Sequence, residues 1–247
     1  MHVLTRSIIA AVLIAAPLAA AAQGSVIYSS NGFETPTFST GSLGGQDGWS
    51  IPVGAATDAV VQTDNVFEGA QAVQLKDTGA RVLARYYQIV ATDQWVDLMF
   101  YAPAAAEIET NATIRLRGRN DANTYAAYLT VSFNSAGRVA EAPSGNPNNQ
   151  YQFEAWNRVT LKLDLTNDTW DLYLNGQLAG ENLAFISGAD VTRFEAYEVD
   201  WTSKVGASSF GVGIDNFQLT TNNPIPEPAS AAMMSVLCAL AMMARTR

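Results

Sequence analysis

The sequence predicts an all-β fold of two antiparallel sheets packed as a sandwich, and three observations predict it. Short runs alternate apolar and polar side chains, the period of a half-buried strand. Clusters of Gly, Asn, Asp and Pro separate these runs, which is the chemistry of tight turns. Between the two ends of the chain, no long stretch repeats its apolar residues at helical spacing.

Taken in order, the chain opens with a leader. Arg6 supplies a basic start, Ser7 to Ala16 an apolar run, and Ala20, Ala21 and Ala22 a small-residue cleavage site before Gln23. Residues 1–22 read as a secretory signal peptide and 23–221 as the folded domain. Within the domain, Val96, Leu98 and Phe100 alternate with Trp95, Asp97, Met99 and Tyr101. Ile114 and Leu116 alternate with Arg115, Arg117 and Arg119, and Leu129, Val131 and Phe133 with Tyr128, Thr130 and Ser132. Each run has one face for a core and one for water.

The clearest block starts at Trp156. Val159, Leu161, Leu163 and Leu165 share one face of a strand, while Arg158, Thr160, Lys162 and Asp164 share the other. A turn at Thr166 to Thr169 leads into Trp170, Leu172 and Leu174 on a return strand. Asn175 and Gly176 then suit a type I′ turn, because both of its central positions need positive φ. Leu178 starts the next strand. Gly145 to Gln150 (GNPNNQ) reads as a mobile loop, and Thr220 to Pro224 as a linker. No internal repeat is visible, so 23–221 is one domain.

Composition narrows the chemistry. The only histidine, His2, leaves with the leader, and the only cysteine, Cys238, lies in the apolar C-terminal run. The exported domain therefore has no Ser-His-Asp or Cys-His nucleophile system, no His-ligated zinc and no disulfide. Its stability must come from a core, and roughly 200 residues suffice for one. The formal net charge is −9, and it becomes more negative once Arg6, Arg245 and Arg247 leave with the ends. Nucleic acid is then not an expected partner.

The C-terminal stretch, 222–247, carries a motif of its own. Pro224, Pro226, Glu227 and Pro228 precede an apolar run from Ala231 to Ala244, broken only by Ser235, and Arg245 and Arg247 close the chain. The prolines hold the chain extended. Residues 229–244 number 16, against the about 20 that span a bilayer. This order resembles the PEP-CTERM sorting signal of Gram-negative bacteria that secrete exopolysaccharide. The resemblance implies transient anchoring in the inner membrane through 229–244, recognition by exosortase, and delivery to the cell surface or extracellular matrix. It makes Pro226, Glu227, Pro228, Arg245 and Arg247 the sorting residues. The plainer alternative is a C-terminal membrane anchor.

A second resemblance covers most of the domain. Trp156 to Leu161 (WNRVTL), Asp164 and Leu172 to Gly176 (LYLNG) are similar to central strands of the concanavalin A-like, or laminin-G-like, jelly roll. Gly32, Phe33 and Glu34, Gly48 and Trp49, and Gly213 to Phe217 (GIDNF) match its first and last strands. The implied fold is a two-sheet antiparallel jelly-roll β-sandwich. That fold hosts lectins, glucanases, lyases and adhesion modules, so it does not name an activity. It does imply a structural calcium tying first and last strands, here held by Glu34, the Gly69 carbonyl and Asp215. Extracellular calcium tolerates such weak oxygen sites. The alternative is that both carboxylates are turn or edge residues bonded to backbone.

Two further groups are candidates. Trp95, Tyr101, Arg115, Arg117, Tyr128, Lys162 and Tyr173 all fall on the polar phase of their strands. In one sheet they would form an aromatic and basic patch for saccharide rings and hydroxyls, suited to acidic exopolysaccharide. Of these, Trp95, Arg115, Arg117, Tyr128 and Tyr173 are the expected ligand contacts. Otherwise they are ordinary β-surface residues. Glu198 and Asp200, two apart, offer a carboxylate pair of the kind glycoside hydrolysis uses. The glucanase motif they resemble continues to a second Glu, where this chain has Trp201, Thr202 and Ser203. Carbohydrate binding or matrix structure is thus expected ahead of catalysis, with a polysaccharide hydrolase or lyase as the competing class.

Overall fold

Alternating runs with β-branched and aromatic residues form strands wherever the sequence predicts them. The computed structural model describes residues 25–75, 80–89, 93–108, 112–120, 125–143, 145–186, 191–202 and 211–225, with 80–89, 93, 118–120, 125–128 and 191–202 as backbone alone. The leader expected at 1–22 and the sorting residues expected from Pro226 to Arg247 lie outside them. The strands are β1 (Val26–Ser29), β2 (Gly41–Ser42), β3 (Trp49–Val53), β4 (Ala59–Gln62), β5 (Ala72–Leu75), β6 (Ala80–Ile89) and β7 (Asp93–Ala102). They continue with β8 (Ala112–Asn120), β9 (Tyr125–Phe133), β10 (Ala155–Asp164), β11 (Thr169–Leu174), β12 (Gln177–Ala184), β13 (Val191–Thr202) and β14 (Val212–Thr220). Among the described residues no helix is long and apolar enough to cross a membrane.

The strands make two sheets. The larger runs β12-β11-β10-β7-β14-β5-β4-β2, with β1 also paired to β14. The smaller runs β3-β6-β13-β8-β9. Every pairing between the strands is antiparallel. The apolar phases predicted for β7, β8, β9, β10 and β11 all enter one core. Phe100 of the larger sheet stacks on Phe133 of the smaller, with ring centroids 4.4 Å apart. Trp49 of the smaller sheet meets Phe217 of the larger edge-on at 5.5 Å. These contacts make the two sheets a sandwich, and each such buried side chain contributes about 1.5–3 kcal/mol of transfer free energy.

The β11–β12 turn matches its sequence signature: Asn175 has φ 50° and Gly176 φ 77°. β14 carries a bulge. Asp215 opposes Met99 and Gln218 opposes Asp97, so three steps on β14 match two on β7. Asn216 absorbs the extra residue at φ 48°, a region asparagine tolerates.

Two expectations about flexibility are corrected. Gly145 to Gln150 is tied down rather than mobile. Asn149 is buried; its Oδ1 accepts from Val139 N at 2.9 Å, and its Nδ2 donates to Val139 O and Ala142 O. Asn146 and Asn148 donate to carbonyls of Leu178 and Ala179 on the edge strand β12. Asparagine amides supply the partners that a loop otherwise takes from water. The stretch expected as a free linker, Thr220 to Pro224, ends β14 and then lies back on the larger sheet, where the Pro224 carbonyl accepts from Arg158 Nη2 at 2.7 Å.

Candidate functional site

The outward phases of β7, β10 and β14 build one surface. Register places Trp156 opposite Tyr101, Arg158 opposite Met99, Thr160 opposite Asp97 and Lys162 opposite Trp95. On the far side of β7, Gln218 faces Asp97. Directly opposed residues share a face, so these side chains form rows across the sheet.

Aromatic rings hold one end of the surface. Tyr101 meets Trp156 edge-on at 5.6 Å, and Phe67 tilts against Trp156 at 6.2 Å. Trp156 donates its indole N–H to Asn65 Oδ1 at 3.0 Å, which fixes the ring. Phe67, on the loop between β4 and β5, is 45% exposed, so part of its ring faces solvent beside Trp156. Burial, together with Glu154 and Glu107, raises the Tyr101 pKa, so the phenol stays neutral.

The middle is polar. Arg158 reaches Asp97 with both prongs, Nε to Oδ1 at 2.9 Å and Nη2 to Oδ2 at 3.0 Å. Thr160 donates its hydroxyl to Asp97 Oδ1. Phe67, Met99 and Arg158 are common to two adjoining clefts of about 430 Å³ and about 480 Å³. Glu68 and Gln218 line the first, and Asn175, Gly176 and Gln177 the second. Together they form a groove with the Phe67 ring on one side, backed by Trp156, an apolar floor at Met99 and a fixed guanidinium. Apolar and hydrogen-bonding groups side by side are the chemistry that a ligand with both apolar faces and hydroxyl oxygens would require. Asp97, clamped by three donors, is poorly placed to act as a base or nucleophile.

The residues expected to make one patch are divided between the sheets. Trp95, Tyr101, Lys162 and Tyr173 belong to the larger sheet, and Arg115, Arg117 and Tyr128 to the smaller. The expected single surface is therefore not formed. Trp95 is on the outward phase yet only 8% exposed, with Tyr173 tilted against it at 5.9 Å, so it offers no open ring face. Tyr173 is half-buried, and Lys162 stands 3.9 Å from Asp171. Arg115 and Arg117 lie side by side on β8, half-buried and engaged. Tyr128 is the extra residue of β9 at a register shift opposite Leu116 and Arg117. Glu198 and Asp200 sit on β13 opposite Arg115 and Thr113, and their side chains lie outside the described residues.

Phe67, Asp97, Trp156, Arg158 and Gln218 were not expected as site residues. Phase alone marks Asp97 and Arg158 as outward. That β7 neighbours β10, some sixty residues later in sequence, has no local signal.

Glu34, Gly69 and Asp215 do converge. A Cβ at Gly69 (φ 79°) would collide with Glu34 Oε1, and one at Gly32 would stand 3.5 Å from Asp215 Oδ1 and 3.6 Å from Glu34 Cγ. Glu34 Oε1 accepts from Ala70 N and Gln71 N, at 2.6 and 2.9 Å. Asp215 Oδ2 accepts from Phe67 N and Glu68 N, at 3.1 and 3.3 Å, and Oδ1 from Asn216 N at 2.7 Å. Asp215 is fully buried, and desolvation raises its pKa to about 6 against the opposing effect of these amides; Glu34 raises it further. Ser30 Oγ and Gln71 Oε1, in the same two segments, are buried without a hydrogen-bond partner. Among the described residues no three His, Cys, Asp or Glu side chains gather at metal-ligand spacing. Two carboxylates with neutral oxygens nearby suit a hard cation, while the amide contacts alone suit a structural turn.

Neither a family model nor a curated protein matches the sequence. Among solved structures the chain is similar to the CBM22-1 xylan-binding domain of Paenibacillus barcinonensis Xyn10C, at 12% identity over 83% of this chain and 99% of that one, TM-score 0.43. It is similar to beta-agarase A at 11% identity over 74% and 88%, TM-score 0.49. It covers 71% of itself but 17% of a sialidase, at 16% identity and TM-score 0.48. Likenesses at this level do not reach function.

Proposed function

We propose that the chain is an exported, non-catalytic polysaccharide-binding or matrix-structural module on a concanavalin A-like jelly roll, with the groove of the larger sheet as its binding surface. The observation that carries this reading is the exposed Phe67 beside Trp156 and Tyr101, next to the fixed Arg158 guanidinium. Rings cover the apolar faces of sugars, and planar donors take their hydroxyls. Acidic exopolysaccharide is the proposed partner class, with Arg158 supplying the cationic donor. Arg115 and Arg117 would serve a separate contact on the other sheet.

Calcium, where bound, would rest on Glu34 and Asp215 and neutralise two carboxylates that tie β14 to the start of the sandwich. Its role would be structural. The sorting reading stands on residues 222–247: exosortase would handle Pro226, Glu227 and Pro228 while 229–244 sits in the inner membrane, and the domain would end at the surface or in the matrix of a Gram-negative bacterium.

The test is affinity electrophoresis of the protein through gels cast with acidic and neutral polysaccharides, in calcium and in EDTA. Retardation in an acidic gel, weakened about tenfold by Phe67→Ala or Trp156→Ala, is the expected result. Retardation that both variants retain removes the groove as the site; none in any gel leaves the matrix-structural role. A melting temperature equal in calcium and EDTA removes the cation.

A further inference from the structure

The chain leaves β14 at Thr220 and turns back over the sheet it has just completed. Thr221 N donates to Ser25 O at 3.1 Å, Asn222 N to Thr220 Oγ1 at 2.9 Å and Ile225 N to Asn223 Oδ1 at 2.9 Å, which fixes the turn. Pro224 then places its carbonyl on Arg158 Nη2, at 2.7 Å. Ile225 lies over the β11–β12 turn, where a Cβ on Gly176 would be 3.9 Å from Ile225 Cγ2. Pro224 lines one cleft of the groove and Ile225 the other. Both are half-buried and neither belongs to the core.

We infer that Asn222–Ile225 is a tethered competitor for the groove: its Pro224 carbonyl takes the Arg158 donor and its Ile225 covers the apolar side, so ligand binds when this strap lifts. The inference rests on the reading of the groove as a saccharide site. A ligand oxygen that needs the same Arg158 N–H must displace the Pro224 carbonyl. A tether this short sets an effective concentration of about millimolar or higher, so one charge-assisted hydrogen bond and one apolar contact hold the strap closed. Ligand affinity is then reduced by the fraction of molecules that are open. Proline suits the role, since its fixed φ lets the segment dock extended with little ordering cost.

The experiment compares the full chain with Ile225→Ala, which trims the apolar contact and adds no charge beside Arg158, and with Pro224→Gly, which loosens the segment. Two readouts are taken: cleavage of the strap by a non-specific protease, located by mass spectrometry, and retardation in polysaccharide gels. The expected result is cleavage and retardation both about tenfold stronger in the variants. Equal cleavage in all three chains overturns the inference, because the strap was never held. Faster cleavage with unchanged retardation also overturns it, leaving the binding reading intact. Faster cleavage with no retardation of any chain overturns the binding reading, and the competition with it.

Discussion

Asp97 is buried on the outward face of its strand, and the Arg158 fork with the Thr160 hydroxyl compensates that placement. Removing the guanidinium leaves a largely buried carboxylate with Thr160 as the remaining one of these side-chain donors. Arg158→Ala should cost about 1–3 kcal/mol in urea unfolding, below what a fully buried pair loses because the arginine is partly exposed. Arg158→Lys should recover only part of this, since an ammonium cannot make the two-pronged contact. Asp215 gives a second prediction, of opposite sign to a salt-bridged carboxylate. Its pKa is raised from 3.8 to about 6, so the folded state holds the proton more tightly than the unfolded one. In EDTA its contribution to stability falls as pH rises through that interval and stays low above it, by on the order of 3 kcal/mol. Asp164, lowered by its bond to Asn167, acts only below its ordinary range and does not mask the trend. Urea midpoints between about pH 4 and about pH 7 test this, with Asp215→Asn flattening the slope.

Individual strands were legible because each has its own period. The hairpin from Trp156 through Gly176 could be read to its turn residues, since alternation and an Asn-Gly pair act locally. The loop at Gly145 to Gln150 was not, because its order comes from contacts with residues distant in sequence. Asn149→Ala should cost about 2–4 kcal/mol, since Val139 and Ala142 lose the amide that satisfies their backbone groups. Hydrogen exchange at Val139 measures the same loss locally. The divided patch has a like cause. Phase places Trp95 and Arg117 outward on their strands, but only the strand order shows that β7 and β8 belong to different sheets. Trp95 then lies under Tyr173, where its large ring gains more from burial than from exposure.

At the scale of the whole molecule, β14 is the organising element. It lies between β7 on one side and β5 and β1 on the other, so it joins the middle of the larger sheet to the start of the chain. Its bulge turns Asp215 toward Glu34, its last residues release the strap, and its outward face completes the groove. Among the described residues, the clefts along this face bring Phe67, Met99 and Arg158 together, and the proposed glycan site rests on them. The most direct measurement is amide chemical-shift mapping of the isotope-labelled protein during titration with an oligosaccharide from whichever polysaccharide retards it. Shifts confined to Phe67, Met99, Arg158 and Gln218, and to the strap at Pro224 and Ile225 through their neighbours, are the predicted result. Shifts centred on Arg115 and Arg117, with the larger sheet silent, would contradict it and move the binding surface to the opposite face.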